Sequence, residues 1–323
     1  MSALAQDAVR ADGSIVERAP CPKFSAPAYD EFVANVKRLH AQEVEAAKRE
    51  GLTMTTPPGI PLTREAFERA METSARVECT RIVYMSDGLK VAGLMWRPVD
   101  QGTRRLPLLI YNRGGNRDFG KNAPWNPFHR FAAEGFVMLA PQYRGVDGGE
   151  GVEEFGGADI HDIVNLLPVA RSLGNVDLDN VFVLGWSRGA MSTLVALKRG
   201  LNANAVAVGG GLFDLTAEAR RRPAVVKNVW SELMPGFATR RDELLLERSA
   251  VHWPEQISAP VLILHGTGDW RASPADALVL AQKLQSAGKP YELIVYANDD
   301  HSLNANAVDR NRRIIEWFRK HMR

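Results

Sequence analysis

The chain has 323 residues, 45% of them hydrophobic and 24% charged, the composition of a globular protein with one sizeable core. Forty basic residues stand against 38 acidic ones, and the formal charge of +2 gives no global electrostatic case for nucleic acid or membrane surfaces as partners. No apolar run approaches the ~20 residues of a membrane-spanning helix. No Cys or His spacing matches a metal motif, and no cofactor is expected.

Residues 1 to about 24 read as a surface arm. Within it, Ala3-Leu4-Ala5-Gln6 is similar to the tail of a signal-peptide cleavage site, so the compartment stays open between cytoplasmic and exported. Cys21 and Cys79 fit either one disulfide in an oxidising compartment or two buried thiols. From Ala28 to Arg49, Phe32, Val33, Val36, Leu39, Val44 and Ala47 recur near helical spacing, and Gly51 ends the run. A Pro-rich connection, 53–61, leads to Thr63, which caps a second helix to about Ser74. Both helices are expected to pack their apolar faces on the main domain, with roofing of the functional site as the alternative.

Val77 to Met85 and Leu89 to Arg97 read as strands around an Asp87-Gly88 hairpin turn. Strands follow at Leu106–Tyr111, Phe136–Ala140, Val181–Gly185, Ala205–Val208, Pro260–Leu264 and Glu292–Tyr296. Helices are expected at Phe128–Glu134, 157–173 with a break at Pro168, Met191–Arg199, Pro274–Ala287 and Asp309–His321. A hairpin followed by strands alternating with helices predicts an α/β architecture, a mostly parallel sheet covered on both faces. The expected division is an arm and helical appendage over 1–76 and a catalytic domain over 77–323, with 213–255 as a lid or pocket insertion.

The motif that organises the chain is Gly185-Trp186-Ser187-Arg188-Gly189. Four apolar residues run into it and a helix-forming run leaves it, the strand–turn–helix context of a nucleophile elbow. Ser187 is the candidate nucleophile, and the Arg188 amide a candidate oxyanion donor. A serine needs a base, and the base an orienting carboxylate. Asp269 lies just past the strand ending Leu264-His265-Gly266, and His301 just past the next strand. All three therefore leave the same sheet edge in the order Ser, Asp, His. Asp214 is the alternative acid. His265 is read as a packed, hydrogen-bonded histidine, and Asp299 and Asp300 as shapers of the base's loop. Arg113-Gly114-Gly115, after another strand, offers the second oxyanion donor.

These motifs together resemble the catalytic domain of the prolyl oligopeptidase family within the α/β-hydrolase fold, from about Val77 to the C-terminus. Gly185-Trp186-Ser187-Arg188-Gly189-Ala190 resembles that family's Gly-Trp-Ser-Tyr-Gly-Gly. Tyr143-Arg144-Gly145 with the segment Gly157 to Asp162, and Arg248-Ser249-Ala250 with Ile257 to Gly266, are similar to further family segments. The resemblance implies Ser187, Asp269 and His301 as the triad and activity on peptides or small esters and amides. Family peptidases usually carry a large N-terminal propeller, for which 76 residues are too few. Arg113 stands where members often have a tyrosine that helps form the oxyanion hole, leaving the Gly114 amide, the Gly115 amide or the Arg113 guanidinium as the second donor. Arg188 replaces a tyrosine.

Trp186, Phe213, Trp230, Met234, Phe237 and Trp253 are candidate pocket residues, with burial in a cap as their alternative. The expected function is a serine hydrolase acting on a short peptide or amide. A carboxylesterase for small or aromatic esters is the alternative, and a non-catalytic scaffold the third possibility.

Overall fold

The computed structural model describes residues 11–323 apart from positions 55, 57, 58, 60 and 61. The cleavage-site resemblance at residues 3–6 and part of the Pro-rich connection lie outside the described residues. The strands are β1 (Ile15–Pro20), β2 (Val77–Ser86), β3 (Leu89–Pro98), β4 (Leu106–Asn112), β5 (Val137–Pro141), β6 (Val176–Trp186), β7 (Ala205–Gly209), β8 (Val261–Gly266) and β9 (Tyr291–Tyr296). They form one sheet in the order β1-β2-β3-β5-β4-β6-β7-β8-β9. The first four in that order pair antiparallel, and β5 through β9 pair parallel.

The central strands are apolar on both faces, as a sheet covered on both sides requires. Ile110, Val183, Val208 and Ile263 bury into one layer, and Leu109, Phe182, Leu184 and Leu262 into the other. Helices α3 (Ile160–Val164), α4 (Leu166–Ser172) and α5 (Arg188–Lys198) cover the first face. The C-terminal helix Ala307–Lys320 covers the second through Ile314, Ile315 and Phe318. Asp87 and Gly88 turn the β2–β3 hairpin at φ values of 51° and 75°, the paired left-handed geometry that matches strand twist.

Two expectations are corrected. The arm contributes strand β1, which pairs antiparallel with β2, so the sheet extends beyond the expected boundary at residue 77. Its Ile-Val-Glu-Arg-Ala-Pro sequence is a short, largely exposed edge, and an edge strand carries little apolar alternation to read. Pro168 does not break its helix. The break falls at Asn165, and Pro168 sits in the first turn of α4, where the missing amide costs nothing.

A disulfide joins Cys21, just after β1, to Cys79 in β2. The loop it closes contains both N-terminal helices, α1 (Tyr29–Arg49) and α2 (Arg64–Ala75). Thr63 caps α2 by accepting from the Ala66 amide at 3.3 Å. Ser74 of α2 meets His129 Nε2 at 2.8 Å, which ties α2 to the domain. Phe67 of α2 carries the start of α1 against Phe32, with ring centroids 4.9 Å apart. Among the described residues no helix is long and apolar enough to cross a membrane.

Candidate active site

Ser187 sits between β6 and α5 at φ 59° and ψ −123°, a backbone conformation that a residue with a side chain rarely holds. The tight crossing behind it requires the flanking glycines. A Cβ on Gly185 would lie 2.3 Å from the Gly189 carbonyl oxygen, and one on Gly189 would lie 1.9 Å from that of Asn112. Asn112 Nδ2 donates to Thr193 Oγ1 at 2.8 Å, pinning β4 to α5 under the turn. Because α5 begins at Arg188, the Arg188 amide is one of the helix-start donors that have no intrahelical acceptor.

The turn after β4 closes over Ser187 from the other side. A Cβ on Gly114 would come 2.8 Å from Ser187 Cβ, and one on Gly115, at φ 70°, 2.0 Å from the Phe119 carbonyl oxygen. Glycine is therefore the only residue the approach admits. Neither the Gly114 nor the Gly115 amide donates to another group among the described residues. The Arg113 guanidinium is turned away from this opening. It donates to the carbonyls of Gln142, Gly114, Phe119 and Arg117, so the expectation that it could supply the second oxyanion donor is corrected, and the glycine amides remain.

Asp269 and His301 arrive on the loops after β8 and β9. His301 Nδ1 donates to Asp269 Oδ2 at 2.8 Å. His265 Nε2 approaches the same oxygen at 3.1 Å, and the amides of Arg271 and Ala272 donate to Oδ1 at 2.8 and 3.0 Å. Burial alone would raise the pKa of Asp269, but the charge of His301 and the His265 hydrogen bond outweigh it and hold the carboxyl well below its ordinary range. Asp214, the alternative acid, instead caps α6 (Leu215–Arg221) by accepting from the Thr216 and Ala217 amides at 2.9 and 3.1 Å.

Asp299 and Asp300 build the loop that carries His301. Asp299 accepts from the amides of Asp300, Ala305 and Asn306, and Asp300 from those of Ser302 and Asn304. Gly210, just beyond β7, leaves room for the ring: a Cβ there would lie 3.1 Å from His301 Nδ1.

Ser187, Arg188, Gly114, Gly115 and His301 all line one cavity of about 580 Å³. Trp186 also lines it. Phe213, Trp230, Met234, Phe237 and Trp253 do not, which corrects the expected pocket. They are buried in the hydrophobic core instead, Trp230 against Phe155 and Phe213 against His265, because large apolar side chains gain most by leaving solvent altogether. Other walls come from that segment through Val225 and Val229, from Phe119, and from α1 through Val36, Leu39 and His40. The N-terminal helix thus roofs the cavity, the alternative that its amphipathic pattern left open.

The Arg188 side chain, unlike its amide, was visible in the sequence only as a replacement for a tyrosine. Its guanidinium is buried, donates to Glu153 at 2.7 Å, pairs with Asp159 and stacks on the Tyr143 and Phe155 rings. It also donates to the Gly115 carbonyl at 3.1 Å. This network locks the glycine turn to the start of α5. A buried Arg surrounded by Gly-rich backbone leaves no pattern in sequence that distinguishes it from a surface charge.

A parallel sheet with an antiparallel entry hairpin, a strained serine turn at its C-terminal edge and a buried carboxylate–imidazole pair beside it define an α/β-hydrolase with the chemistry of a serine hydrolase. The chain belongs to the prolyl oligopeptidase family, which residues 124–323 match. It is 32% identical over 253 residues to an uncharacterized peptidase of Bacillus subtilis, YtmA, covering 77% of this chain and 95% of that protein. It is 22% identical to dipeptidyl-peptidase 5 of Porphyromonas gingivalis, covering 67% of this chain but only 33% of that one. Among solved structures, the Pyrococcus horikoshii acylaminoacyl peptidase superposes with a TM-score of 0.67 at 18% identity, over 80% of this chain and 44% of that one. An acylaminoacyl peptidase bound to Z-Gly-Gly-Phe-chloromethyl ketone gives 0.66 at 19% identity, over 76% and 42%. At these identities the structural likeness speaks to the fold alone.

Proposed function

We propose that Ser187 is the nucleophile, His301 its base and Asp269 the acid that orients the base, in a hydrolase acting on short peptides or amides with an uncharged, apolar acyl side. The observation that carries this reading is the 2.8 Å contact between His301 Nδ1 and Asp269 Oδ2, on the cavity that Ser187 lines. Ser187 Oγ attacks the carbonyl carbon and His301 takes the hydroxyl proton. Asp269 holds the Nδ1–H tautomer and stabilises the imidazolium. The amides of Arg188 and of Gly114 or Gly115 receive the oxyanion. His301 returns its proton to the leaving amine, and water activated by His301 releases the acyl group. In this proposal residues 77–323 are the catalytic unit, with β1 belonging to its sheet, and 213–255 is an insertion that walls the cavity.

The electrostatics of the cavity support an uncharged acyl side. Glu43 is held by Arg271, Glu50 by Arg222, and Asp300 by backbone amides. Among the described lining residues no carboxylate is left free to pair with a peptide ammonium. The apolar wall of Val36, Leu39, Phe119, Val225 and Val229 equally favours a second reading, a carboxylesterase for small or aromatic esters. The Cys21–Cys79 disulfide supports an oxidising compartment, and hence export.

The test is turnover of N-acetyl-aminoacyl nitroanilide, the same anilide with a free amine, and p-nitrophenyl acetate and butyrate, by wild type and Ser187→Ala. Preference for the blocked anilide, lost in the variant, is the expected result. Ester turnover without anilide cleavage would establish the second reading. Activity that survives Ser187→Ala, or absence of fluorophosphonate labelling, would overturn both.

A further inference from the structure

The N-terminal helix α1 does more than cover the cavity. Apart from Ala47 its side chains are half-buried or exposed, so hydrophobic burial holds it weakly. Its second half is fastened by carboxylates. Glu43 accepts from Arg271 Nε at 2.6 Å and Nη2 at 2.5 Å, and from Trp270 Nε1 at 3.2 Å. Glu50 accepts from Arg222 Nε and Nη2 at 2.7 and 2.6 Å.

The residues that Glu43 grips are those that follow the catalytic acid directly. The Arg271 amide donates to Asp269 Oδ1 at 2.8 Å, so the residue whose side chain Glu43 holds is the residue whose backbone orients Asp269. The carbonyls of Trp270 and Arg271 are held as well, by Arg221 at 2.7 Å and Arg222 at 2.8 Å. Arg222 is itself the partner of Glu50, and Arg221 that of Glu218. The segment 269–272 is therefore clamped between α6 and α1, and a two-pronged carboxylate–guanidinium contact fixes an orientation as well as a charge. Burial opposes ionisation of Glu43, yet the Arg271 contacts and the nearby His301 hold its pKa below the ordinary value. The family match begins at residue 124, so the carboxylates of this clamp lie outside it and its arginines inside it.

We propose that Glu43 is a positioning residue for the catalytic acid: through Arg271 it holds the 269–272 loop, so that docking of the N-terminal helix and alignment of Asp269 with His301 are one event. The inference rests on the assignment of Asp269 and His301 made above. Docked, α1 roofs the cavity and completes the triad. Displaced, it opens the cavity and releases the loop that carries the acid.

The test uses the full chain with Glu43→Gln, Arg271→Gln and the double variant. Two quantities are read: kcat and KM on p-nitrophenyl acetate, a probe too small to need the roof opened, and the rate of fluorophosphonate labelling. Each single variant is expected to lower kcat and the labelling rate on the order of tenfold, the scale of a small misalignment, with KM within about twofold. The double variant is expected to be no worse than either single one, because both remove the same contact. Unchanged or raised kcat in Glu43→Gln would make α1 a roof only and overturn the proposal, as would losses that multiply in the double variant. If Glu43→Gln does not fold, Arg271→Lys keeps the charge and breaks the two-pronged grip. It is then expected to show the same fall in kcat, and wild-type kcat in it would overturn the proposal. A wild type that does not label at Ser187 would refute the assignment of the triad. A wild type that labels, beside a Glu43→Gln protein that labels equally fast, would refute the present inference alone.

Discussion

The indole Nε1 of Trp186 donates to the backbone carbonyl of His301 at 3.0 Å. The residue before Ser187, the proposed nucleophile, thus fastens the loop that carries His301, its proposed base. The indole also packs on Phe128 and under Arg310, so it is held on several sides. Trp186→Phe keeps part of the packing and removes the donor with the pyrrole half of the ring. It is expected to cost about 1 kcal/mol of stability and to lower kcat several-fold, since the lost hydrogen bond holds the His301 loop. Steady-state kinetics beside urea melts check both, and an unchanged kcat would assign Trp186 to packing alone.

Gly115 makes a sharper prediction about the oxyanion. Its φ of 70° and the 2.0 Å approach that a Cβ would make to the Phe119 carbonyl mean that Gly115→Ala must rebuild the turn. With the amides displaced, kcat is expected to fall by ~10²–10³, the cost of losing one preorganised donor. KM for a small ester should stay near the wild-type value. Pre-steady-state acylation rates are the direct measurement.

Arg188 is expected to matter for stability through its side chain, which also holds the Gly115 turn, and to offer the oxyanion its backbone amide. Arg188→Met would leave Asp159 without its cation, and Glu153 with only Arg113 at 3.8 Å, in a site where all are almost wholly buried. Breaking a buried ion pair from one side costs ~3–5 kcal/mol. The amide is retained, so the folded fraction should still label with fluorophosphonate. A variant as stable as wild type would show that the buried charges relax into solvent.

The grouping of Ser187, Asp269 and His301, the triad proposed here, was legible because strand, turn and loop each leave a local signature: an apolar run into Gly-x-Ser-x-Gly, then Asp269 and His301 placed just past two further apolar runs. The sheet was legible for the same reason, except at β1, whose exposed edge alternates too weakly to read. The cavity walls were not legible. Phe213, Trp230, Met234, Phe237 and Trp253 show the same apolar spacing whether they face a ligand or the core, and packing decides between the two. The pattern of α1 likewise says that one face is apolar, but not that it faces Ser187. Contacts such as Glu43 with Arg271 join residues 228 apart, a pairing that no local spacing encodes.

The Cys21–Cys79 disulfide spans 58 residues and encloses both N-terminal helices. Closing a loop of that length is expected to stabilise the fold by about 2–4 kcal/mol. Cys21→Ser with Cys79→Ser should therefore lower the midpoint of urea unfolding, and adding reductant to wild type should bring the two curves together. Curves that differ little before reduction would mean that β1 and α2 hold the segment without the covalent link.

Asp276 should show its burial as a pH dependence of stability. It lies in the first turn of the helix Pro274–Ser286, almost fully buried, with no hydrogen bond to its carboxylate among the described residues. Burial, reinforced by Glu218 and Asp214, pushes its pKa from 3.8 up to about 7. The folded state therefore keeps a proton that the unfolded chain gives up. The resulting stability is fully present below the unfolded pKa of 3.8 and is lost as pH rises through about 7. Asp276→Asn has the same shape and carries no charge to bury. It is expected to match wild type near the acid end of this window and to exceed it at pH 8 by on the order of 2 kcal/mol, after discounting for partial solvation. Thermal melts of both proteins at several pH values across the window measure the difference directly. A gap that does not grow with pH would mean that the carboxylate is ionised in the folded protein and finds its partner in Arg221 or His265.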